Sequence, residues 1–487
     1  PHYRSGSGTK VLVVDMDGTM TISARKPRVM LYSSPLIGHL VSMIELAKLF
    51  AARGLSVTVV LMDPPYDTGA TGPFLAGVSA ANPSITFHRL PKVKLLDSDH
   101  SMMPALAVAR LSNPHLHDFL TGASPDVLVL DFFCSAAMDV AKELGTPAYF
   151  FNTSGAQILA FFLHLRVLHG KSTRSFREMG QELVHVPGIT SFPATHSIQP
   201  LMDRDGATYN ALLNVSLNLF RSQGIIVNTF RSLEPRAMDT ILAGLSAPAG
   251  LSTPPVYCIG PLIKSEEVGV KRGHECLAWL DAQPKASVVF LCFGSLGRFS
   301  ARQTMEVATG LEASGQRFLW VVRSPPGGDD DTTTTTTEPD LDMLLPQGFL
   351  DRTKGRGLVV KSWAPQGDVL AHHAVGCFVT HCGWNSVLES IMVGVPMVAW
   401  PLYAEQRLNA VFLEKEMELA VTMKGYDKEV VEAEEVAKKV RWMMVSEGGR
   451  VLRERTLAVM RRAKEALLEG GESEATLAGL VDAWIHA

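Results

Sequence analysis

From Pro27 onward the chain alternates two hydrophobic rhythms. RVMLYSS (28–34) is a β-branched and apolar run, the pattern of a strand. PLIGH interrupts it as a turn. LVSMIELAKLFAARG (40–54) then repeats apolar residues at helical spacing up to a closing Gly, which predicts a helix. SVTVVLM (56–62) reads as the next strand, so the unit is βαβ, the element of a parallel sheet. VLVLDFF (127–133), TPAYFF (146–151) and GIIVNTF (224–230) extend the series, with the helical SAAMDVAKELG (135–145) among them.

At GPLIKSEEVGVKRG (260–273) the rhythm dissolves into Gly, Pro and charge. A second series follows. SVVFLCFGS, RFLWVVR, GLVVKSW, HAVGCFVTHC and PMVAWP read as strands, and ARQTMEVATGLEASG and NSVLESIMVG as helices. Two such series joined by a linker predict an α/β protein of two Rossmann-like, doubly wound domains facing each other across a cleft. The expected boundaries are 27–260 for the first domain, 261–273 for the linker and 274–465 for the second domain. A helix over 466–487 is expected to pack back on the first domain. PPGGDDDTTTTTTEPD (325–340) is low-complexity and polar, and reads as a disordered loop inserted after a strand.

A dinucleotide-binding protein would share the βαβ pattern, but it needs a Gly-x-Gly-x-x-Gly turn after its first strand. SSPLIGH carries a single Gly there. Length alone argues for two domains, since 487 residues exceed one ordinary core. A net charge of −4 excludes the basic surplus of a nucleic-acid binder. The six cysteines (134, 258, 276, 292, 377 and 382) are scattered through apolar runs, as core thiols of a reducing compartment would be. The nearest candidate for a membrane span, ILAFFLHL (158–165), is far short of the ~18 residues required. A cytoplasmic monomer without an integral membrane segment is therefore expected, and the sequons at Asn152 and Asn214 read as chance.

The chain opens differently. VLVVDMDGTM (11–20) resembles the nucleophile loop of haloacid-dehalogenase phosphatases, with Asp15 and Asp17 in the catalytic positions. That loop needs a sheet of its own, yet a different and complete domain begins at Arg28. PHYRSGSGTK looks like a Ser/Gly expression leader. Residues 1–26 are accordingly expected to be an added or disordered N-terminus, inert over 1–19.

The densest chemistry lies in the 44-residue stretch from Trp363 to Gln406, WAPQGDVLAHHAVGCFVTHCGWNSVLESIMVGVPMVAWPLYAEQ. HCGWNSVLES is a strand end, a Gly turn and a helix start, and unpaired N–H groups at a helix N-terminus attract phosphate. The helix is expected to begin near Asn385 or Ser386, with those side chains capping it and donating to phosphate oxygens. Glu389, one turn on, suits a vicinal diol. Trp363 offers a flat π-face for a base. His372, His373, His381 and Cys382 contain zinc-ligand types, but one strand does not turn them to a common tetrahedral centre, so no metal is expected.

The stretch closely resembles the signature box of plant UDP-sugar-dependent glycosyltransferases, and the chain from about residue 27 onward is similar to that family. The resemblance implies the GT-B fold, with the first domain binding an acceptor and the second binding UDP-glucose. It implies that Ala364 pairs with uracil through its main chain and that Gln366 approaches the ribose. His381, Gly383, Asn385, Ser386 and Ser295 belong to the diphosphate site. Trp384, Glu405 and Gln406 match the positions that hydrogen-bond the hexose, although many members have Asp where this chain has Glu405.

His39, in the first-domain turn, matches the family's catalytic base, and Asp131, ending VLVLD, matches its partner carboxylate. The positive helix end is expected to keep the ring neutral near pH 7. Together they imply an inverting enzyme that yields a β-glucoside without a covalent intermediate. SFREMGQEL and NTFRSLEP look most like branches acting on flavonoids and related phenols. Transfer to carbon, nitrogen or sulfur, another UDP-sugar, a UDP-sugar epimerase and a non-catalytic UDP-sugar sensor stay open as alternatives, and the acceptor-binding residues stay unassigned.

Overall fold

The computed structural model describes residues 10–14, 20–64, 71–95, 102–264, 274–326 and 338–487. Asp15 and Asp17, most of the linker (265–273) and most of the polar loop (327–337) lie outside them. The first sheet holds β1 (Arg28–Tyr32), β2 (Ser56–Leu61), β3 (Ile85–Arg89), β4 (Val127–Asp131), β5 (Ala148–Asn152), β6 (Gly224–Val227) and β7 (Val256–Cys258), in the spatial order β7-β6-β5-β4-β1-β2-β3. The second holds β8 (Val288–Cys292), β9 (Arg317–Val322), β10 (Gly357–Lys361), β11 (Val375–Thr380), β12 (Met397–Ala399) and β13 (Ala420–Thr422), ordered β10-β9-β8-β11-β12-β13. Every neighbouring pair in both sheets is parallel.

Both sheets thus share the doubly wound order in which the winding reverses between the first and fourth strands. Ligands bind such sheets in the crevice beyond the strand C-termini at that reversal. It falls between β1 and β4 in the first sheet, and between β8 and β11 in the second.

The apolar runs read as strands because both faces are covered. Leu128 and Leu130 of β4 pack on one side with Phe161, while Val127 and Val129 pack on the other with Met43 and Leu46. Val288 and Phe290 of β8 face Val387 and Leu388, and Val289 and Leu291 face Val307 and Leu311. This period of two is the strand's own geometry. All six cysteines are buried and unbridged. Among the described residues no helix is long and apolar enough to cross a membrane.

Six helices carry the argument: α1 (Ile37–Ala52), α2 (Ala156–Lys171), α3 (Gln366–Ala371), α4 (Trp384–Val393), α5 (Gln406–Lys415) and α6 (Glu472–Ile485). The helix expected over 466–487 starts only at Glu472, because another helix runs on to Leu467 before it. That longer helix (Glu447–Leu467) ends ahead of Gly470, whose φ of 76° is the left-handed conformation that glycine adopts without strain. After this break α6 returns to the first sheet. There Trp484 meets Phe50 and Tyr149 with ring centroids 5.1 Å apart in each case, and Ser473 Oγ donates to Gly260 O at 2.6 Å.

Among the described strands of the two large sheets, three escaped the sequence pattern: β3, β7 and β13. All are edge strands, and β7 and β13 have only three residues each, too few for periodicity to register. The N-terminal stretch, expected to lack order, forms an antiparallel hairpin of Lys10–Val14 with Met20–Ala24 that joins neither large sheet. A haloacid-dehalogenase nucleophile would instead follow a strand inside a parallel sheet.

Trp484 is only 6% exposed, so Trp484→Ala should remove about 3–5 kcal/mol of stability from the first sheet and its covering helix. Denaturant unfolding followed by near-UV circular dichroism checks this.

Candidate active site

His39 is the third residue of α1, directly beyond β1, and Asp131 is the last residue of β4. The two therefore meet at the winding reversal of the first sheet. His39 Nδ1 lies 2.9 Å from Asp131 Oδ2. A carboxylate only accepts, so Nδ1 carries the proton and donates it, which leaves the Nε2 lone pair free. Asp131 is fully buried, and its Oδ1 accepts from Phe133 N at 2.9 Å. The imidazole stacks on Phe133, with centroids 4.8 Å apart, and Thr153 Oγ1 stands 3.3 Å from Nδ1.

The ring was expected to stay neutral because of the helix end, but the balance of charges runs the other way. Burial lowers the pKa of His39, yet the charge and hydrogen bond of Asp131, aided by Glu405, outweigh it and raise the pKa above 6.5. A carboxylate in contact is a stronger influence than a helix end's partial charge.

In the second sheet, Gly294 and Ser295 follow β8, and His381 to Gly383 follow β11, so they face the matching reversal. Gly294 has φ of 72°, and a Cβ there would stand 2.6 Å from His381 Nε2; one on Gly383 would stand 2.5 Å away. The imidazole is wedged between two glycines. Burial, reinforced by the nearby Arg323 charge, depresses its pKa to about 4, so His381 is neutral and offers a hydrogen bond rather than a charge. Its Nδ1 is buried without a partner among the described residues. Ser295 is exposed, and its carbonyl accepts from Arg323.

Helix α4 begins at Trp384, with Gly383 as its N-cap and no side-chain cap. The expected capping by Asn385 and Ser386 does not occur, because both side chains are engaged elsewhere. Asn385 Nδ2 donates to Gly38 O at 2.9 Å, and Asn385 Oδ1 accepts from Ser42 Oγ at 2.9 Å. One amide thereby ties α4 to the turn of α1 that carries His39. Ser386 Oγ accepts from Gln366 Nε2 at 2.9 Å, and the same nitrogen donates to Glu389 Oε2 at 2.6 Å. Glu389 is shifted upward by burial, against the pull of Gln366.

Trp363 follows β10 and is 58% exposed, its edge meeting His274 at 5.8 Å. An indole used only as core filling would not stand open like this. Ala364, beside it, is buried.

The remaining three residues divide differently. Trp384 is buried, and its Nε1 donates to Asn228 O at 2.7 Å, so the indole N–H serves the seam between the sheets rather than a sugar. Gln406 Oε1 accepts from the N–H groups of Leu402 and Tyr403 at 2.9 Å each, which fixes its amide. Glu405 directly precedes α5; burial raises its pKa, and the His39 charge opposes this across the cleft. His372, the first of the zinc-type residues, pairs with Asp281 at 3.1 Å. Among the described residues no three His, Cys, Asp or Glu side chains converge on a metal position.

Sequence reasoning missed the supports. Glu234 is buried, and its carboxylate accepts from Ala156 N and Gln157 N at 2.9 Å each, satisfying the first turn of α2. A Cβ on Gly155 would collide with both Glu234 and Trp384, at 2.7 and 2.8 Å, so glycine permits this close approach. Ser42 shares the helix face of His39 at i+3, the one of these signals that spacing carries.

The profile of the UDP-glucoronosyl and UDP-glucosyl transferase family matches residues 266–436. A phloretin 2'-O-glucosyltransferase of Malus domestica is 43% identical over 476 residues, covering 93% of this chain and 98% of its own. The chain belongs to this family. It is a UDP-glycosyltransferase with the GT-B fold. An anthocyanidin 5,3-O-glucosyltransferase of a Rosa hybrid cultivar is likewise 43% identical, over 94% of this chain and 98% of its own. Among solved structures, a UDP-glucosyltransferase from Polygonum tinctorium, capable of glucosylating indoxyl and complexed with 3,4-dichloroaniline, superposes with a TM-score of 0.85 at 36% identity, covering 95% of this chain and 99% of that one. Phytolacca americana UGT2, complexed with UDP-2fluoro-glucose and pterostilbene, gives 0.82 at 35% identity, covering 95% and 100%.

In this glycosyltransferase the His39 ring should titrate above 6.5, and Asp131→Asn should bring its pKa down, because burial is then opposed only by the weaker pull of Glu405. Histidine-selective NMR titration checks both values.

Proposed function

We propose that the protein transfers glucose from UDP-glucose to a hydroxyl of a small hydrophobic phenol of the flavonoid class, inverting the anomeric centre to give a β-O-glucoside. The observation that carries this reading is the His39–Asp131 pair, held by Asn385 against the N-terminus of α4. The relatives named for phloretin and anthocyanidin glucosylation support the acceptor class.

The first domain, 27–260, binds the acceptor and the second, 274–465, binds the donor. Nε2 of His39 takes the proton of the acceptor hydroxyl as its oxygen forms a bond to the anomeric carbon. The bond from that carbon to the β-phosphate oxygen breaks on the opposite face, and UDP leaves with the electron pair. Asp131 holds the imidazole by Nδ1 and stabilises the imidazolium, as the carboxylate does in a Ser-His-Asp triad.

Trp363 stacks on the uracil, Ala364 pairs with it through the main chain, and Glu389 and Gln366 hold the ribose. The leaving diphosphate is met by the free N–H groups of α4, with neutral His381, Ser386 and Ser295 as hydrogen-bonding partners. No metal takes part in this reading. Glu405 and Gln406 hold the hexose, and Trp384 contributes its position at the head of α4. Asn385 acts chiefly as the tie between the two domains.

A panel of UDP-sugars with phenols tests the proposal. Wild type should consume UDP-glucose only when a phenol is present. His39→Ala should lower kcat by about 10²- to 10⁴-fold, with UDP affinity unchanged by calorimetry. Activity surviving at wild-type level would refute the base. On the acid side, kcat/KM should rise with pH, because the base acts deprotonated, and the midpoint should lie above 6.5. Ser42→Ala removes one hydrogen bond to Asn385, worth about 1 kcal/mol, so kcat should fall about fivefold with little change in the KM for UDP-glucose.

A further inference from the structure

A cavity of about 260 Å³ opens at the seam between the domains, between segment 195–202 of the first and the turn that leads into α5 of the second. Arg177, Thr195, Ser197, Gln199 and Met202 form one wall, and Tyr403, Ala404 and Arg407 the other. Gln199 N donates to Ala404 O at 3.4 Å across the seam. Ala404 adjoins Glu405 in sequence, so the cavity is the next chamber along from the residue assigned to the hexose. It is slightly smaller than the roughly 300 Å³ at which whole-ligand pockets begin. It therefore suits one part of a ligand, a ring and its substituent, while the rest lies in the cleft.

Its lining has one sign of charge. Two arginines contribute and no Asp or Glu does. Arg407 is fixed, since Nη1 donates to Thr195 O at 3.1 Å and the guanidinium lies 5.9 Å from the centre of the Tyr426 ring. Arg177 is exposed, on the short helix Phe176–Met179. Ser197 is 1% exposed, yet its Oγ has no hydrogen-bond partner among the described residues. A buried hydroxyl left unmet is costly unless a ligand satisfies it. Met202 and the Tyr403 ring supply apolar walls. Burial pushes the Tyr403 hydroxyl up to about 12, so the phenol adds no negative charge at neutral pH.

We propose that this cavity recognises the carboxylate of an aromatic acid presented as acceptor, with Arg177 and Arg407 as the charged donors and Ser197 Oγ as a third hydrogen-bond donor. A planar guanidinium fork matches a carboxylate's two oxygens, and a buried hydroxyl completes the set. This rests on the reading of the protein as a phenol glucosyltransferase. It adds to that reading a preference for phenolic acids over their neutral esters.

The test titrates 4-coumaric acid and methyl 4-coumarate into the UDP-saturated enzyme by calorimetry, for wild type, Arg177→Met and Ser197→Ala. Wild type should bind the acid about tenfold more tightly than the ester. Each variant should lose most of that ratio by weakening the acid alone, with the Kd and turnover of the ester unchanged. Equal binding of acid and ester to wild type, or an acid Kd unmoved in both variants, would overturn the proposal. A parallel arm measures inhibition by UDP-glucuronate against UDP-glucose. Weakening confined to that arm would mean that the carboxylate belongs to the sugar, and would overturn the acceptor assignment. Because binding is read separately from turnover, loss of the acid preference and absence of glucosyl transfer are distinguishable results.

Discussion

Two hydrogen bonds from one amide hold the chemistry of this protein together. Asn385, in the first turn of α4, donates to Gly38 O and accepts from Ser42 Oγ, and these two residues flank His39 on α1. Without that tie, the proposed base on one sheet and the proposed anion-binding helix end on another would be separate features of separate domains. With it, the His39–Asp131 pair and the N-terminus of α4 share one frame. Each bond is worth about 1 kcal/mol, little for stability but enough to alter a rate severalfold through geometry.

The tie works because topology brings the right ends together. Both sheets reverse their winding between the first and fourth strands, and each reversal opens a crevice at the strand C-termini. Other contacts fix the seam around it. Trp384 reaches Asn228 O, Arg236 pairs with Glu416 at 2.6 Å, and α6 returns to bury Trp484 beside Phe50. Glu234 satisfies the head of α2 from within the first domain and packs close to Trp384 through Gly155. Residues remote from the cleft thus determine where its walls stand.

Much of this was legible in the chain. Doubly covered strands such as VLVLD and GCFVT announce themselves because both their faces are apolar, and His39, Asp131 and the box from Trp363 to Gln406 fall at the ends of such strands. Edge strands of three residues give no period to read. Side-chain partners are the other blind spot. HCGWNS marks a helix start, but nothing in it reveals that Asn385 turns away from its own helix to Gly38, or that the Trp384 indole N–H is already committed. The direction of the His39 shift was misjudged for a different reason: Asp131 was matched as its partner, but the helix end was weighed above a carboxylate that stands 2.9 Å from the ring.

A crystal structure of the protein with UDP-2-fluoroglucose tests the central claim most directly. The account predicts uracil on the face of Trp363, diphosphate at the head of α4 beside His381, and Asn385 still bonded to Gly38. The anomeric carbon should open toward His39, with room for an acceptor oxygen about 3–3.5 Å away. A nucleotide lodged elsewhere, or an Asn385 amide turned fully onto phosphate with its contacts to α1 broken, would contradict it.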